Sequence, residues 1–282
     1  MKSIAVFSLL AAVAVNAAPS LIPTGISDSC TKFLTAFNDD ASLQSCTSPL
    51  ISATSDFFSK NATVQSSSSA KSALAAICST TSTCSEPTVR AKLADFYKAC
   101  TAELTSAPNA DVLALYDTLY TLVPLKQAVC SKDDTGALCV GKVAAKVSPS
   151  SLYTNLGEGT QLILKPNVDA FRSNNIAFLL LQASTPKDQL CTSCARSVLT
   201  AFVTWESNSP YAPGLGQSKI LGGQTELYTA VTNTCGPNFM SGAVQAAGGL
   251  SGGILSDSSS AQTIAGSVTA VMGALAAAIV ML

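Results

Sequence analysis

The segment DVLALYDTLYTLVPLKQAVC, residues 111–130, carries a broad apolar face. Its apolar side chains recur at helical spacing but extend beyond a narrow stripe, which predicts a helix that faces the core. They are Val112, Leu115, Tyr116, Leu119, Tyr120 and Leu122. Pro124 here and Pro49 in an upstream helix are expected to kink or divide those helices, because proline lacks an amide hydrogen.

Helical periodicity continues outward from this segment in both directions. The predicted helices cover residues 30–37, 43–59, 70–78, 88–105, 170–182, 189–205 and 226–234. Strand-like alternation is scarce, and residues 161–164 are the best candidate, while Pro and Gly at residues 207–223 predict a long loop. We therefore predict an all-α fold, in which helical hairpins form a bundle and a single folding unit held by about five disulfides.

The ten cysteines form an even set, which an oxidising compartment would convert to disulfides. They are Cys30, Cys46, Cys78, Cys84, Cys100, Cys130, Cys139, Cys191, Cys194 and Cys235. Seven precede residues 148–159, a stretch that contains Pro, Gly and Ser, and three follow it. If all are paired, at least one disulfide must cross that stretch and tie the two halves together.

Helix geometry limits which cysteines can pair. A continuous helix between Cys84 and Cys100 would place them roughly 20 Å apart. A disulfide needs Cα atoms within about 7 Å, so these two are not expected to pair. Short polar turns favour local bridges instead, Cys78 with Cys84 and Cys130 with Cys139.

Cys191 and Cys194 form a CxxC motif, which in some proteins is a thiol–disulfide catalyst. Such a catalyst is expected between a strand and a helix in a βαβ unit, and the surrounding sequence does not predict one. The two cysteines fall instead on one face of a helix with Val198, Phe202 and Trp205. We expect two structural half-cystines that reach different partners.

The composition excludes several kinds of chemistry. The chain contains no histidine, which removes the usual base of Ser-His-Asp and Cys-His hydrolases and the commonest zinc ligand. Charged residues make up 12% of the chain and the net charge is −1, so nucleic-acid binding is not expected. We assign no catalytic, cofactor-binding or metal-binding residue and expect no cofactor.

Two pairs of adjacent acids, Asp39-Asp40 and Asp133-Asp134, leave one enzymatic alternative open. Two carboxylates in one cleft can hydrolyse a glycosidic bond. Adjacent acids in turns are more commonly solvated, or they cap a helix. We expect solvated or helix-capping acids here and not a catalytic pair.

The N-terminus has the pattern of a secretory signal peptide. Residues 1–17 combine Lys2, an apolar run and small residues suited to cleavage. Residues 18–242 would form the cysteine-rich helical domain. Asn61 begins an Asn-Ala-Thr sequon and is expected to carry a glycan.

The C-terminus has the pattern of a glycosylphosphatidylinositol (GPI) attachment signal. Residues 243–262 are rich in Gly, Ala and Ser and predict a stalk, and residues 263–282 form an apolar tail that attachment would remove. Ser251 is the expected attachment residue, with Gly249 and Gly252 as alternatives. A transmembrane helix is the competing interpretation, but no Lys or Arg follows the tail to orient it.

Four segments of the chain carry a resemblance to known proteins. They are SDSCTKFLTAFNDDASLQSCTSPLISATSDFF at residues 27–58, VRAKLADFYKACTAEL at 89–104, VLALYDTLYTLVPLKQAVCSKDDTGALCV at 112–140 and CTSCARSVLTAFVTW at 191–205. Together they resemble a fungal family of secreted, cysteine-rich, GPI-anchored proteins that is catalogued as a domain of unknown function. The resemblance implies a location at the fungal cell surface and implies no activity.

Three functions fit these observations. The first is a GPI-anchored protein of the cell surface or cell wall with a structural or adhesion role. It would sit on the outer leaflet of the plasma membrane, with cell-wall glucan as a candidate partner. The second is an extracellular carrier that encloses a lipid or sterol in an apolar cavity. The third is a carboxylate-based glycoside hydrolase, which needs two acids in one cleft.

Overall fold

The structure is a computed structural model and describes residues 22–54, 67–79, 84–141, 153–155 and 164–240. The expected signal peptide, the stalk, the apolar tail, Asn61 and Ser251 all lie outside the described residues. Within these ranges, no helix combines the length and apolar character that crossing a membrane requires.

Helices dominate the described part of the chain, which confirms the predicted all-α class. They are α1 (Asp28–Asn38), α2 (Ala41–Thr54), α3 (Ser67–Ile77), α4 (Glu86–Ala99), α5 (Ala110–Val129), α6 (Val168–Ser173), α7 (Lys187–Leu190), α8 (Ser193–Asn208) and α9 (Gln224–Cys235). Strand β1 (Tyr153–Asn155) pairs antiparallel with β2 (Leu164–Pro166). The predicted strand at residues 161–164 meets β2 only at Leu164, because residues 161–163 are outside the described ranges.

Helix α5 is the centre of the fold. It is buried along almost its whole length and packs mainly against α8 and α4. The Asn109 side-chain oxygen caps it, accepting hydrogen bonds at 3.1 Å from the backbone amides of Asp111 and Val112. The helix continues through Pro124, and α2 continues through Pro49. Of the two predicted effects of these prolines, a kink or a division, the division is wrong. In α5, proline removes one backbone hydrogen bond, and burial of the apolar face outweighs that loss.

The predicted helix at residues 88–105 is too long. Helix α4 ends at Ala99, and a separate π-helical turn follows at Ala102–Ser106. Cys100 lies between them with φ of −118° and forms a disulfide with Cys30 of α1. The covalent tie therefore holds the chain at the point where α4 stops.

The predicted helix at residues 170–182 is also wrong. Helix α6 ends at Ser173, and the chain then makes a left-handed turn at Asn175 before a short 3-10 turn at Ile176–Phe178. Asparagine side chains stabilise this path, since Asn174 donates to the Ala170 carbonyl at 2.8 Å and Asn175 donates to a carbonyl beyond the turn. Local side-chain hydrogen bonds of this kind compete with helix formation.

Residues 189–205 form two helices instead of the single one predicted. Helix α7 ends before Cys191, and the Thr192 hydroxyl then caps α8 by accepting from the Ala195 amide at 3.2 Å. The buried face of α8 includes Val198, Phe202 and Trp205, as predicted. Most of the predicted loop at residues 207–223 is irregular.

The disulfides join elements that are distant in sequence. The bonds are Cys30–Cys100, Cys78–Cys130, Cys139–Cys194 and Cys191–Cys235. Cys84 is also disulfide-bonded.

These bonds correct one sequence-based prediction and confirm three others. The expected local bridges, Cys78–Cys84 and Cys130–Cys139, are wrong, because Cys78 bonds Cys130 and Cys139 bonds a cysteine of α8. Packing of the end of α3 against the end of α5 brings Cys78 and Cys130 to a Cα separation of 5.4 Å. Cys84 does not pair with Cys100, and one bond crosses residues 148–159. The two cysteines of the CxxC motif bond different partners.

Candidate functional site

An apolar pocket of about 380 Å³ lies where α2, the end of α3, the start of α4 and the second half of α5 meet. We refer to it as the apolar pocket. It is lined by Leu50, Cys78, Ser79, Cys84, Ser85, Glu86, Leu122, Val123, Lys126, Gln127 and Cys130. No sequence motif marks this set, because the residues come from separate segments of the chain.

The inner wall of the apolar pocket consists of core residues and a disulfide. Leu50 of α2 and Leu122 and Val123 of α5 are buried, with exposed fractions of 1%, 4% and 7%. The Cys78–Cys130 disulfide forms part of the same wall and ties the end of α3 to the end of α5. A wall held by covalent and core contacts loses little conformational freedom when a ligand binds.

The rim of the apolar pocket is polar. Glu86 accepts hydrogen bonds on both carboxylate oxygens, from the Gln127 amide at 3.1 Å and from the Arg90 guanidinium at 3.2 Å. Lys126 lies at the same rim, where burial of its side chain lowers the pKa of its ammonium group. An apolar interior below a polar rim suits a ligand that is apolar or amphipathic.

A buried carboxylate, that of Asp117, lies on α5 outside the apolar pocket. The side chain has no exposed surface. One oxygen accepts from the Tyr211 hydroxyl at 2.5 Å, and the other accepts from the backbone amides of Lys219 and Ile220 at 2.6 and 3.0 Å. Burial raises the pKa of Asp117 from 3.8 to about 6, although these hydrogen bonds partly oppose that rise.

Asp117 acts as a structural anchor for the loop that follows α8. The three donors belong to residues 211–220, and the Tyr120 hydroxyl adds a bond at 2.7 Å to the Ser209 carbonyl. Both carboxylate oxygens accept hydrogen bonds from the protein and the residue has no exposed surface, so a substrate does not reach it. This strongly perturbed carboxyl group is therefore explained by the fold and not by catalysis.

The acid pairs identified in the sequence have structural roles where the structure describes them. Asp40 accepts from the Ser42 amide at 2.9 Å near the start of α2 and forms an ion pair with Lys92. The contact with Lys92 lowers the pKa of Asp40 from 3.8 to about 2, with further help from Ser42. Asp133 stabilises its own turn by accepting from the amides of Thr135 and Ala137 at 2.9 Å. The apolar pocket is lined by a single acid, Glu86, and a glycoside hydrolase needs two.

One group of residue types that can bind a metal lies where the start of α1 meets the end of α4. The sulfurs of Cys30 and Cys100 and a Glu103 oxygen lie within 4.8 Å of one another. The two sulfurs are bonded to each other, and Glu103 accepts a hydrogen bond from the Ser27 amide at 2.6 Å. The cluster is therefore explained as a disulfide beside a helix-start anchor.

Sequence reasoning identified neither the apolar pocket nor Asp117. A pocket formed by four segments leaves no local pattern, and its lining residues are ordinary core and cap residues. Asp117 did leave a signal, since it is a lone acid between Tyr116 and Thr118 in a helix with a broad apolar face. A carboxylate in that position must find internal donors.

Comparison with known proteins places the chain in a family. A family model described as "Domain of unknown function (DUF7729)" matches residues 20–170, which include α1 to α5 and every residue that lines the apolar pocket. Neither the curated proteins nor the solved structures contain a significant match. The matched segment covers more than half of the chain, and the protein belongs to the DUF7729 family.

Proposed function

We propose that this protein is an exported, non-catalytic binding protein that holds a small apolar or amphipathic molecule in the apolar pocket. One observation carries the proposal: an apolar interior of about 380 Å³, walled by core residues and a disulfide and surrounded by a polar rim. Ligand pockets of roughly 300–1,000 Å³ with mainly apolar walls are typical of small-molecule sites. The volume lies near the lower end of that range, which favours one chain or ring system over a two-chain lipid.

The expected location outside the cell supports this function. Disulfides are stable outside the reducing cytosol, and the described part of the chain contains four complete bonds in addition to the disulfide-bonded Cys84. The N-terminal and C-terminal patterns would direct the chain to the secretory pathway and then attach it through a GPI lipid at Ser251. A surface protein with a covalently fixed pocket could retain an apolar molecule at the cell exterior.

The direct experiment is to purify the protein from its native membrane and extract it with organic solvent. Mass spectrometry should detect one apolar compound in near-stoichiometric amount with the protein. A protein refolded from denaturant should lose that compound and should then bind cis-parinaric acid or dehydroergosterol, two fluorescent apolar probes. A native preparation without extractable compound, together with no binding of either probe, would exclude the proposal.

The anchor is tested separately. Phosphatidylinositol-specific phospholipase C should release the protein from membranes, and the released form should end near Ser251. The control is a second membrane protein known to be released by the same lipase. Retention of this protein while the control is released would favour a transmembrane tail.

A structural or adhesion role is the second candidate function, and the dense disulfide framework favours it. The two candidates differ in one measurement. A purely structural protein would yield no extractable ligand and would bind neither probe. Cells that lack this protein would nevertheless have an altered surface.

A further inference from the structure

A second pocket, formed where α6 and the following turn meet the start of α9, has a different chemistry. Its volume is about 390 Å³, and its walls include Arg172, Asn175, Gln182, Ser184, Gly222 and Glu226. We refer to it as the polar notch. It shares no residue with the apolar pocket and lies after residue 170, outside the segment that the family model matches.

Two glycines allow the start of α9 to approach the other wall. A Cβ atom at Gly222 would lie 2.4 Å from the Arg172 Nε, and one at Gly223 would lie 2.1 Å from the Asn175 Oδ1. Both distances are too short for real contacts. The Arg172 guanidinium and the Asn175 amide are therefore held directly against backbone that carries no side chain.

The turn that carries Asn175 into the wall of the polar notch has a constrained backbone. Asn175, Leu179 and Leu180 all adopt left-handed φ values, of 49°, 50° and 70°. The Asn175 side chain donates to the Leu181 carbonyl at 2.8 Å, and the leucines of the turn are buried. Such a conformation is costly for residues other than glycine and persists because surrounding contacts enforce it. The position of Asn175 in the notch wall is consequently fixed by the fold.

Three polar side chains of the notch are available to a ligand. Arg172, Ser184 and Glu226 have no side-chain hydrogen bond or ion pair with any residue in the described ranges. Arg172 supplies only donors, Glu226 supplies only acceptors, and Ser184 can do both. Gln182 lies beside them and makes one long bond, of 3.3 Å, to the Ser173 carbonyl.

The charges of the notch indicate what it would bind. One guanidinium and one carboxylate cancel, so the notch has no net charge to attract an ion, and Glu226 would repel an anion. The guanidinium can donate two hydrogen bonds side by side, and the carboxylate can accept two. Both can therefore pair with neighbouring hydroxyl groups of a sugar, because each hydroxyl both donates and accepts. We propose that the polar notch binds a neutral saccharide, with Arg172 and Glu226 contacting adjacent hydroxyls.

This site is independent of the apolar pocket, and it would give a surface protein a means of attachment to a polysaccharide. It is tested by isothermal titration of the full mature protein with β-1,3-gluco-oligosaccharide, β-1,4-N-acetylglucosamine oligomer and α-manno-oligosaccharide. Galacturonate and acetate provide the anion arm. We expect saturable binding of at least one neutral oligosaccharide, with a dissociation constant at or below about 1 mM, and no binding of acetate.

Variants locate the binding on the notch. Arg172→Gln removes an exposed cation without touching the core, and Gly222→Ala displaces the guanidinium while leaving it in the chain. Each should weaken saccharide binding at least about tenfold, as expected for loss of a hydrogen bond to a charged group. Gly216→Ala, whose Cβ would meet no atom within 4 Å, is the matched control and should bind normally.

Three outcomes would overturn the proposal. The first is no heat with any neutral oligosaccharide at about 10 mM, a concentration that detects even weak binding. The second is binding of the anions alone. The third is saccharide binding that Arg172→Gln and Gly222→Ala leave unchanged, because the saccharide would then occupy another surface.

Discussion

The Tyr211 hydroxyl donates a 2.5 Å hydrogen bond to the carboxylate of Asp117, although the two residues are 94 positions apart in the chain. This bond joins the centre of α5 to the loop between α8 and α9. Tyr211 also packs edge-to-face against Tyr116 and Tyr120, with ring centroids 5.4 and 5.0 Å apart. A polar bond and an aromatic cluster therefore hold the same loop on the same helix.

We predict that Asp117→Ala destabilises the protein by about 3 kcal/mol or more, because three donors lose their acceptor. Asp117→Asn should cost far less. Its amide oxygen can accept from the two backbone amides while its NH₂ donates to Tyr211, and no buried charge remains. Chemical unfolding at pH 7 measures both. Equal losses in the two variants would show that the charge itself is needed.

We predict that the folded protein becomes more stable as the pH falls from about 7 to about 4. Burial raises the pKa of Asp117 to about 6, so the folded state binds this proton more tightly than the unfolded chain, whose value is 3.8. The stabilisation is complete below pH 3.8 and is lost as the pH rises through 6. It amounts to at most about 3 kcal/mol.

Asp40 has the opposite effect at lower pH. Its contact with Lys92 lowers the pKa of Asp40 to about 2, so its contribution is present above pH 3.8 and is lost as the pH falls through 2. Thermal unfolding across pH 2–8 should therefore show a maximum near pH 4. Asp117→Asn should flatten the neutral side of that curve, and a wild-type curve already flat between pH 4 and 7 would contradict the assignment.

The observed pairing predicts which disulfide matters most to the apolar pocket. Replacing both Cys78 and Cys130 by serine removes a cross-link between residues 52 apart, which corresponds to about 4 kcal/mol. The same change should weaken binding of cis-parinaric acid, since it removes part of the pocket wall. Peptide mapping under non-reducing conditions provides the prior check, and recovery of a Cys78–Cys84 peptide would contradict the fold.

Filling the apolar pocket should abolish ligand binding while leaving the fold intact. Val123→Phe adds bulk to a wall residue that is 7% exposed, and we expect at least about a tenfold loss of probe affinity. Val203→Phe is the matched control, because Val203 of α8 is 41% exposed and does not line the pocket. Equal probe binding by both variants would place the ligand elsewhere.

Periodicity in the sequence was enough to predict most of the helices. Segments such as α1 and α9 alternate buried and exposed positions regularly, so their sites and types follow from local pattern alone. The bundle class follows from them. The helix boundaries at Cys100 and Cys191 cannot be predicted from local pattern, because each lies at a disulfide to a distant element.

The error at residues 170–182 has a different cause. Phe171, Phe178 and Leu181 are buried and lie at helix-like spacing, yet they reach the core from a turn. Two adjacent asparagines, Asn174 and Asn175, supply side-chain hydrogen bonds that replace the helical ones. An Asn-Asn pair inside an apolar pattern is therefore the sequence feature that indicates a turn instead of a continuous helix.

The candidate sites were beyond sequence reasoning for a topological reason. The apolar pocket needs Leu50, Cys78, Glu86 and Val123 to meet, and their proximity depends on how four helices pack. The polar notch depends on Gly222 and Gly223. A side chain at either position would clash with Arg172 or Asn175, about fifty residues upstream. Such sites become visible only when the tertiary arrangement is known.

The covalent link between Cys139 and Cys194 has a practical consequence for anyone who produces the family segment alone. A chain cut after residue 170 would carry an odd thiol at Cys139, and it would lose α8, whose absence exposes an apolar face of α5. Such a fragment is expected to dimerise through that thiol or to aggregate. An expression boundary for this protein belongs after Cys235, where the last of the observed cross-links closes.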